Sequence, residues 1–310
     1  MIYKILINIF FRTKNFLKNK ILILLGMNLI LKSRSFYDSA SLLEDVEIKV
    51  FSQNGEDGII DYLVKKLRIK KPNFIEIGIQ DYSESNTRFL YEQYYSSGLV
   101  IDSQINLREK VLSSGLNLWK GDLRIVEKFV SSKNIKEVIL ENCDFNVDIF
   151  SIDIDGIDYW VLNNLPDTIK PKIIIVEYNS IFGHDLEVTV PDIDNFSRDS
   201  YHFSNLCYGA SLKAYVNLMK IRGYYLLGVN RLRNNAFFIS NNYSKETYFS
   251  NIKKLSMEEC TNSLFRESRS LDGNLNYLSV KDRKNQIDDC ELIDLSKNIF
   301  SKIRFKDLLN

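Results

Sequence analysis

Carboxylates recur in this chain where short apolar runs end. Glu76 and Asp81 flank Gly78 in FIEIGIQD, Asp102 closes GLVID, and Asp122 stands in KGDL. Asp153 and Asp155 follow DIFSI, and Glu177 and Asn179 close KIIIVEYN. An acid ending the second such run can accept both hydroxyls of a ribose. Glu76 and Asp153 add negative charge near the first and fourth run ends, which suits a cationic ligand and repels a pyrophosphate. The loop after the first run has one glycine where a dinucleotide fingerprint has three, so a sulfonium nucleoside fits better than NAD. Asp153, Asp155, Glu177 and Asn179 can also gather around Mg2+ or another divalent cation, which takes carboxylate and amide oxygens and lowers the pKa of a bound diol. The alternative is that Asp155 and Asp158 cap the next helix while Asn179 holds a turn. His184, in the loop after the fifth run, joins Asp153 and Glu177 as a candidate catalytic base, a role an imidazole commonly takes. His202, in a polar loop, is a weaker candidate.

These residues need elements to hold them together. Apolar spacing predicts a helix over Glu56–Lys66. A strand over Asn73–Gly78, a helix over Ser85–Tyr95 and a strand over Gly98–Asp102 follow. Asn117–Lys120 reads as a weaker third strand, with a helix near Ile125–Val130. Asp148–Asp153 reads as the fourth strand, Asp158–Leu165 as a helix, and Lys172–Tyr178 as the fifth strand. Continuous β-branched runs imply a parallel sheet covered on both faces. Open sheets of that kind bind ligands at the carboxyl ends of their strands. A helix over Ala210–Arg222 then leads into Gly223–Asn230 and Asn235–Ser240, two strands joined too closely to pair other than antiparallel. The expected class is α/β, a doubly wound, mostly parallel sheet ending in a hairpin.

The 310 residues include 41 Lys+Arg, 40 Asp+Glu and two His, with 45% hydrophobic and 26% charged residues. That composition excludes a disordered chain, a collagen-like repeat and a polytopic membrane protein. Residues 1–37 carry seven bases and no acid, leaving 34 bases against 40 acids in the remainder. Such a body lacks the cationic face nucleic acid requires, so no nucleic-acid partner is expected. The apolar clusters of residues 1–32 fall short of the ~20 residues a spanning helix needs. They read as an arm lying on anionic lipid, or as a helix packed on the body. Cys143, Cys207, Cys260 and Cys290 form no CxxC pair, and four reduced thiols in a cytoplasmic protein are expected. The organisation read from the sequence is an arm over 1–37, a ligand-binding domain over 48–243, and a charged, mostly helical tail over 244–310 packed on it. Arg266 and Arg269 in that tail can clamp a phosphate or carboxylate.

Eight segments together resemble a known family: SQNGEDGII (52–60), FIEIGIQDYSESNT (74–87), GLVID (98–102), DIFSIDIDGIDYWV (148–161), IIIVEYN (173–179), YGASLKAYVNLMKIRGYYLLGVN (208–230), NAFFI (235–239) and FRESRSLDGNLNYLS (265–279). The chain resembles the class I S-adenosylmethionine-dependent methyltransferases, in a branch near the FkbM-type enzymes. The resemblance implies a Rossmann-like sheet of seven strands and S-adenosyl-L-methionine as cofactor. It implies a donor pocket lined by Glu76, Gly78, Asp81, Asp102, Asp122 and Asp153, with Asp102 on the ribose and Asp122 facing the adenine amine. Of the family's GxGxG loop only Gly78 is present; Gln80 and Tyr82 occupy the other glycine positions. The expected activity is O-methylation of a sugar or other polar small acceptor in a cell-surface polysaccharide pathway, at the inner membrane surface. The alternatives are a non-catalytic scaffold with a degenerate donor pocket at a membrane, and an NAD-dependent enzyme.

Overall fold

The computed structural model describes residues 20–116, 118–264, 267–297 and 300–308. Short runs rich in Ile, Val and Phe form the inner strands: β1 (Phe74–Ile77), β2 (Gly98–Asp102), β4 (Ile149–Ile152) and β5 (Ile173–Glu177). With β3 (Leu123–Glu127), β7 (Tyr224–Val229) and β8 (Asn235–Ser240) they build a seven-stranded sheet in the order β3-β2-β1-β4-β5-β8-β7. The first five of these strands in that order run parallel, and β8 runs antiparallel to both β5 and β7. This is the doubly wound sheet with a terminal hairpin expected from the sequence.

Alternate residues of each strand serve opposite faces. Phe74, Ile149 and Ile173 join one apolar cluster, together with Ile59, Ile60 and Leu63 of helix α2 (Glu56–Lys66) and Phe89 and Leu90 of α3 (Arg88–Tyr94). Ile75, Phe150 and Ile174 join the other. That second cluster includes Ile135, Val138 and Ile139 of α5 (Ile135–Asn142), Val161 and Leu162 of α6 (Asp158–Asn163) and Leu212, Tyr215 and Met219 of α8 (Leu212–Ile221). The short helix α4 (Leu107–Ser113) packs between β2 and β3 in the chain, and α7 (Arg198–Tyr201) lies in the long segment after β5.

Three expectations are corrected. Residues 118–120 form a 3-10 turn and the third strand is Leu123–Glu127, so the helix expected near Ile125–Val130 lies at Ile135–Asn142 instead. Ile125 and Val126 supply the β-branched pair that favours the strand. The tail is not mostly helical: α9 (Lys245–Tyr248), α10 (Met257–Thr261) and α11 (Val280–Gln286) are short. Beyond them β9 (Glu291–Asp294) pairs with both β10 (Ser301–Arg304) and β6 (Val188–Thr189) in a second, three-stranded sheet. Cys207 and Cys290 are joined as a pair, their Cα atoms 6.6 Å apart, whereas Cys143 and Cys260 are free.

Helix α1 (20–33) covers the part of the arm that is described. Ile23, Met27 and Ile30 turn toward the body, and Arg34 clasps Asp61 at 2.7 and 2.9 Å. Ile21, Leu22, Leu24, Leu25 and Leu29 remain more than half exposed. Lys4, Arg12, Lys14 and Lys18 of the arm, and Arg266 of the tail, lie outside the described residues. No helix among the described residues is long and apolar enough to cross a membrane.

Candidate functional site

Strand register sets one row of side chains across the carboxyl end of the sheet. Ile77 aligns with Ile101 and Ile152, and Ile152 aligns with Val176. The next residue along therefore brings Asp102, Gly78, Asp153 and Glu177 side by side. Glu177 in turn pairs with Asn235. Above this row lies a cleft of about 510 Å3 to which all five residues contribute.

Gly78 allows the row to close up. Its backbone has φ +87°, and a Cβ there would lie 1.7 Å from the carbonyl oxygen of Asp153. The amides of Gly78 and Asp153 donate to Ile101 and Ile77 at 2.9 and 3.0 Å, so β2, β1 and β4 remain laced to their tips. The loop beyond keeps a left-handed path without further glycines: Gln80 has φ +52° and Tyr82 has φ +64°. Tyr82 is buried, with its hydroxyl bonded to the Thr87 hydroxyl and its carbonyl accepting from Arg88 at 2.9 Å. Packing thus imposes on ordinary side chains the backbone shape that glycine adopts freely.

Glu76 is buried and acts as the brace of this loop. Its carboxylate accepts from the amides of Asn86 (2.8 Å) and Thr87 (3.0 Å) and from the hydroxyls of Ser85 and Thr87. Burial pushes its pKa up, while these four donors pull it down. Asn86, so positioned, reaches across to the Ser151 hydroxyl at 3.1 Å and lines the cleft. Asp102 accepts from the Gln80 amide at 2.7 Å through one oxygen and from the Gln104 amide at 2.9 Å through the other. A carboxylate oxygen has two acceptor sites, so each retains capacity toward the cleft.

The floor is acidic. One ligand atom each from Asp153, Asp155 and Glu177 lie within 4.8 Å of one another. Burial, then the charges of Asp155 and Asp158, push the Asp153 carboxyl far above the usual range; burial, then Asp153 and Asp155, do the same to Glu177. Arg198 is the cation here: it ion-pairs with Asp155, lies 3.9 Å over the Tyr208 ring and donates to the Asn205 carbonyl at 2.6 Å. Glu56 forms the opposite wall, accepting from Asn230 and Asn235 at 2.9 and 3.0 Å. Asp57 beside it gathers the amides of Val50, Phe51 and Ser52 at 2.8 Å each, which shapes the Gln53–Asn54 rim.

Other expected site residues lie elsewhere. Asp122 is exposed at the start of β3, the wrong end of the strand, because β3 begins only at Leu123; Lys128 and Phe129 occupy the cleft end instead. Asp81 folds back onto the amide and hydroxyl of Ser83, outside the cleft. His184 is exposed, contacts Asp185 at 3.0 Å and does not line the cleft. Asn179 has its amide nitrogen on the carbonyls of Leu206 and Tyr208 and its oxygen on the Ile181 amide, and it does not line the cleft. Asp158, not Asp155, shapes the turn before α6 by accepting from the amides of Ile154 and Gly156. His202 is buried against Ser204. Arg269 donates to the Gly273 carbonyl. Asn235, Glu56 and Arg198 were missed as site residues. Glu56 and Asn235 stand 179 positions apart, which leaves no local signal for their contact.

No protein-family model matches the chain, and no curated protein does. Among solved structures, the pyocyanin biosynthetic protein PhzM matches at 13% identity and TM-score 0.34, over 57% of this chain and 52% of that one. The N-terminal domain of EvdMO1 with SAH bound matches at 9% identity and TM-score 0.39, over 59% and 79%. PKMT2 from Rickettsia typhi in complex with AdoHcy matches at 10% identity and TM-score 0.37, over 59% and 52%. The chain thus spans about half the length of PhzM.

Proposed function

We propose that the cleft binds S-adenosyl-L-methionine and that the protein is a methyltransferase acting on an oxygen of a sugar or another polar small acceptor. The observation that carries this reading is the row Asp102–Gly78–Asp153–Glu177. It offers a ribose acceptor on β2, a close-packed glycine turn on β1 and, at the ends of β4 and β5, the carboxyls of Asp153, Asp155 and Glu177, which outnumber the facing Arg198. Negative charge at that floor favours a sulfonium. Bound there, the donor supplies an electrophilic methyl on a positively charged sulfur.

The protein's own part is to hold, align and deprotonate. Alignment of reacting groups is worth ~7–11 kcal/mol in well-oriented reactions. A carboxyl pair whose affinity for a proton is raised by burial suits removal of a hydroxyl proton near neutral pH. Gln53, Asn54, Asn86, Gln104 and Asn234 line the cleft, and so many amides favour a polyhydroxylated acceptor over an apolar one. The exposed apolar face of α1, with the acid-free basic sequence before it, supports attachment to anionic lipid and hence a membrane-linked glycan as acceptor. Co-sedimentation with phosphatidylglycerol vesicles tests that attachment, and loss of it on deleting residues 1–31 is expected.

The donor reading is tested by calorimetric titration with S-adenosylmethionine and S-adenosylhomocysteine. Saturable binding is expected, weakened at least ~10-fold by Asp102→Ala, the scale of a charge-assisted hydrogen bond. Absence of binding at millimolar donor, or binding of NAD instead, would remove this function.

A further inference from the structure

The acidic floor holds more oxygen than donor binding uses. Asp153, Asp155 and Glu177 converge there, but a group of acids alone defines no ligand. The independent observation comes from the next strand. Asn235 is the cross-strand partner of Glu177, lines the same cleft and is only 6% exposed. Its amide nitrogen donates to Glu56 at 3.0 Å. That bond fixes the orientation of the amide, because flipping it would set its oxygen against a carboxylate that can only accept. The Asn235 oxygen has no hydrogen-bond partner, although it is buried. A buried acceptor left unmade is costly, so native structures usually give such an atom a ligand or water.

We propose that Asp153, Asp155, Glu177 and Oδ1 of Asn235 bind one hard divalent cation, Mg2+ or Mn2+, with water completing its shell. Carboxylate and amide oxygens are the ligands such ions take, with water in the remaining positions. The amide comes from β8 rather than from Asn179, which is committed to backbone. Arg198 is the chain's own positive charge at this point and competes for Asp155. The inference deepens the methyltransferase reading: a cation on this floor would hold neighbouring oxygens of a diol acceptor and acidify the one to be methylated.

The test is titration of the full chain with Mn2+ alone, read as loss of the free-ion electron paramagnetic resonance signal, with Mg2+ as competitor. One Mn2+ per chain is expected, displaced by Mg2+. Asn235→Ala and Glu177→Gln should each weaken it by ~10-fold or more. Asn235→Asp should restore binding, and Arg198→Met should tighten it. If Glu177→Gln fails to fold, the contrast between Asn235→Ala and Asn235→Asp decides. No binding by the wild type at millimolar Mn2+, or equal binding by wild type and Asn235→Ala, overturns the site. A parallel titration with S-adenosylhomocysteine keeps the two readings apart: donor without Mn2+ sinks only the cation site, and Mn2+ without donor sinks only the methyltransferase.

Discussion

Replacing Gly78 by alanine should pry open the sheet where the cleft begins. The added Cβ would lie 1.7 Å from the Asp153 carbonyl oxygen, 2.6 Å from its carbon and 3.1 Å from Ile154 Cγ2. A carbon rests ~3.3 Å or more from a carbonyl oxygen, so β1 and β4 must part by about 1.5 Å at their tips. A positive φ on alanine costs ~1–2 kcal/mol. Stretching the Asp153–Ile77 and Gly78–Ile101 hydrogen bonds adds ~1 kcal/mol each. The sum of about 3–4 kcal/mol is a large share of the ~5–15 kcal/mol that stabilises a typical domain. A fall of about 5–6 °C in Tm is expected by thermal circular dichroism, with loss of S-adenosylhomocysteine binding by calorimetry. Gln80→Gly is the companion. Its side chain is exposed, and relief of a φ of +52° roughly cancels the ~0.5–1 kcal/mol of extra chain entropy in glycine. The first position needs glycine for space and the second does not. A Gly78→Ala protein that melts within 2 °C of wild type, as roughly judged on that scale, and binds donor equally well would refute the close approach of β1 and β4.

Glu76→Ala should cost ~3 kcal/mol or more and abolish donor binding, because four donors lose their acceptor and the loop over residues 85–87 loses its brace. Denaturant titration measures the first effect and calorimetry the second. Glu47, desolvated and close to Glu56, is pushed up to about 7. Folding then favours its neutral form, so the stability it contributes is complete below its ordinary carboxylate pKa and fades as pH rises toward 7. Glu47→Gln should flatten that slope and add ~1–2 kcal/mol at pH 8 in urea melts, a figure reduced for solvent screening. His184→Ala should leave donor affinity and Tm unchanged, because the ring is exposed and faces only Asp185.

What could be read from the chain followed burial. Strands β1, β2, β4, β5, β7 and β8 lie where continuous apolar runs predict them, since strands covered on both faces tolerate little else. At the edge, β3 mixes Arg124 and Glu127 into its run, and its signal dropped below that of the preceding turn. That slip alone carried Asp122 to the wrong end of the sheet. Asp102, Asp153 and Glu177 were legible because they terminate strong strands. Asn235, Glu56 and the Cys207–Cys290 pair were not, because each depends on a partner far away in sequence. The bracing role of Glu76 was also hidden, since a buried acceptor and a ligand-facing acid look alike in one dimension.

The second sheet bears on how the molecule comes into being. Val188 and Thr189 hydrogen-bond to residues 293–294, which leave the ribosome about 100 residues later. At ~5–20 residues per second the interval is ~5–20 s. During it the five parallel strands can assemble, while β6 still lacks its β9 partner and Cys207 still lacks Cys290. Nascent chains stalled before residue 290 should therefore have a protease-sensitive stretch around residues 185–205, and the finished protein should not.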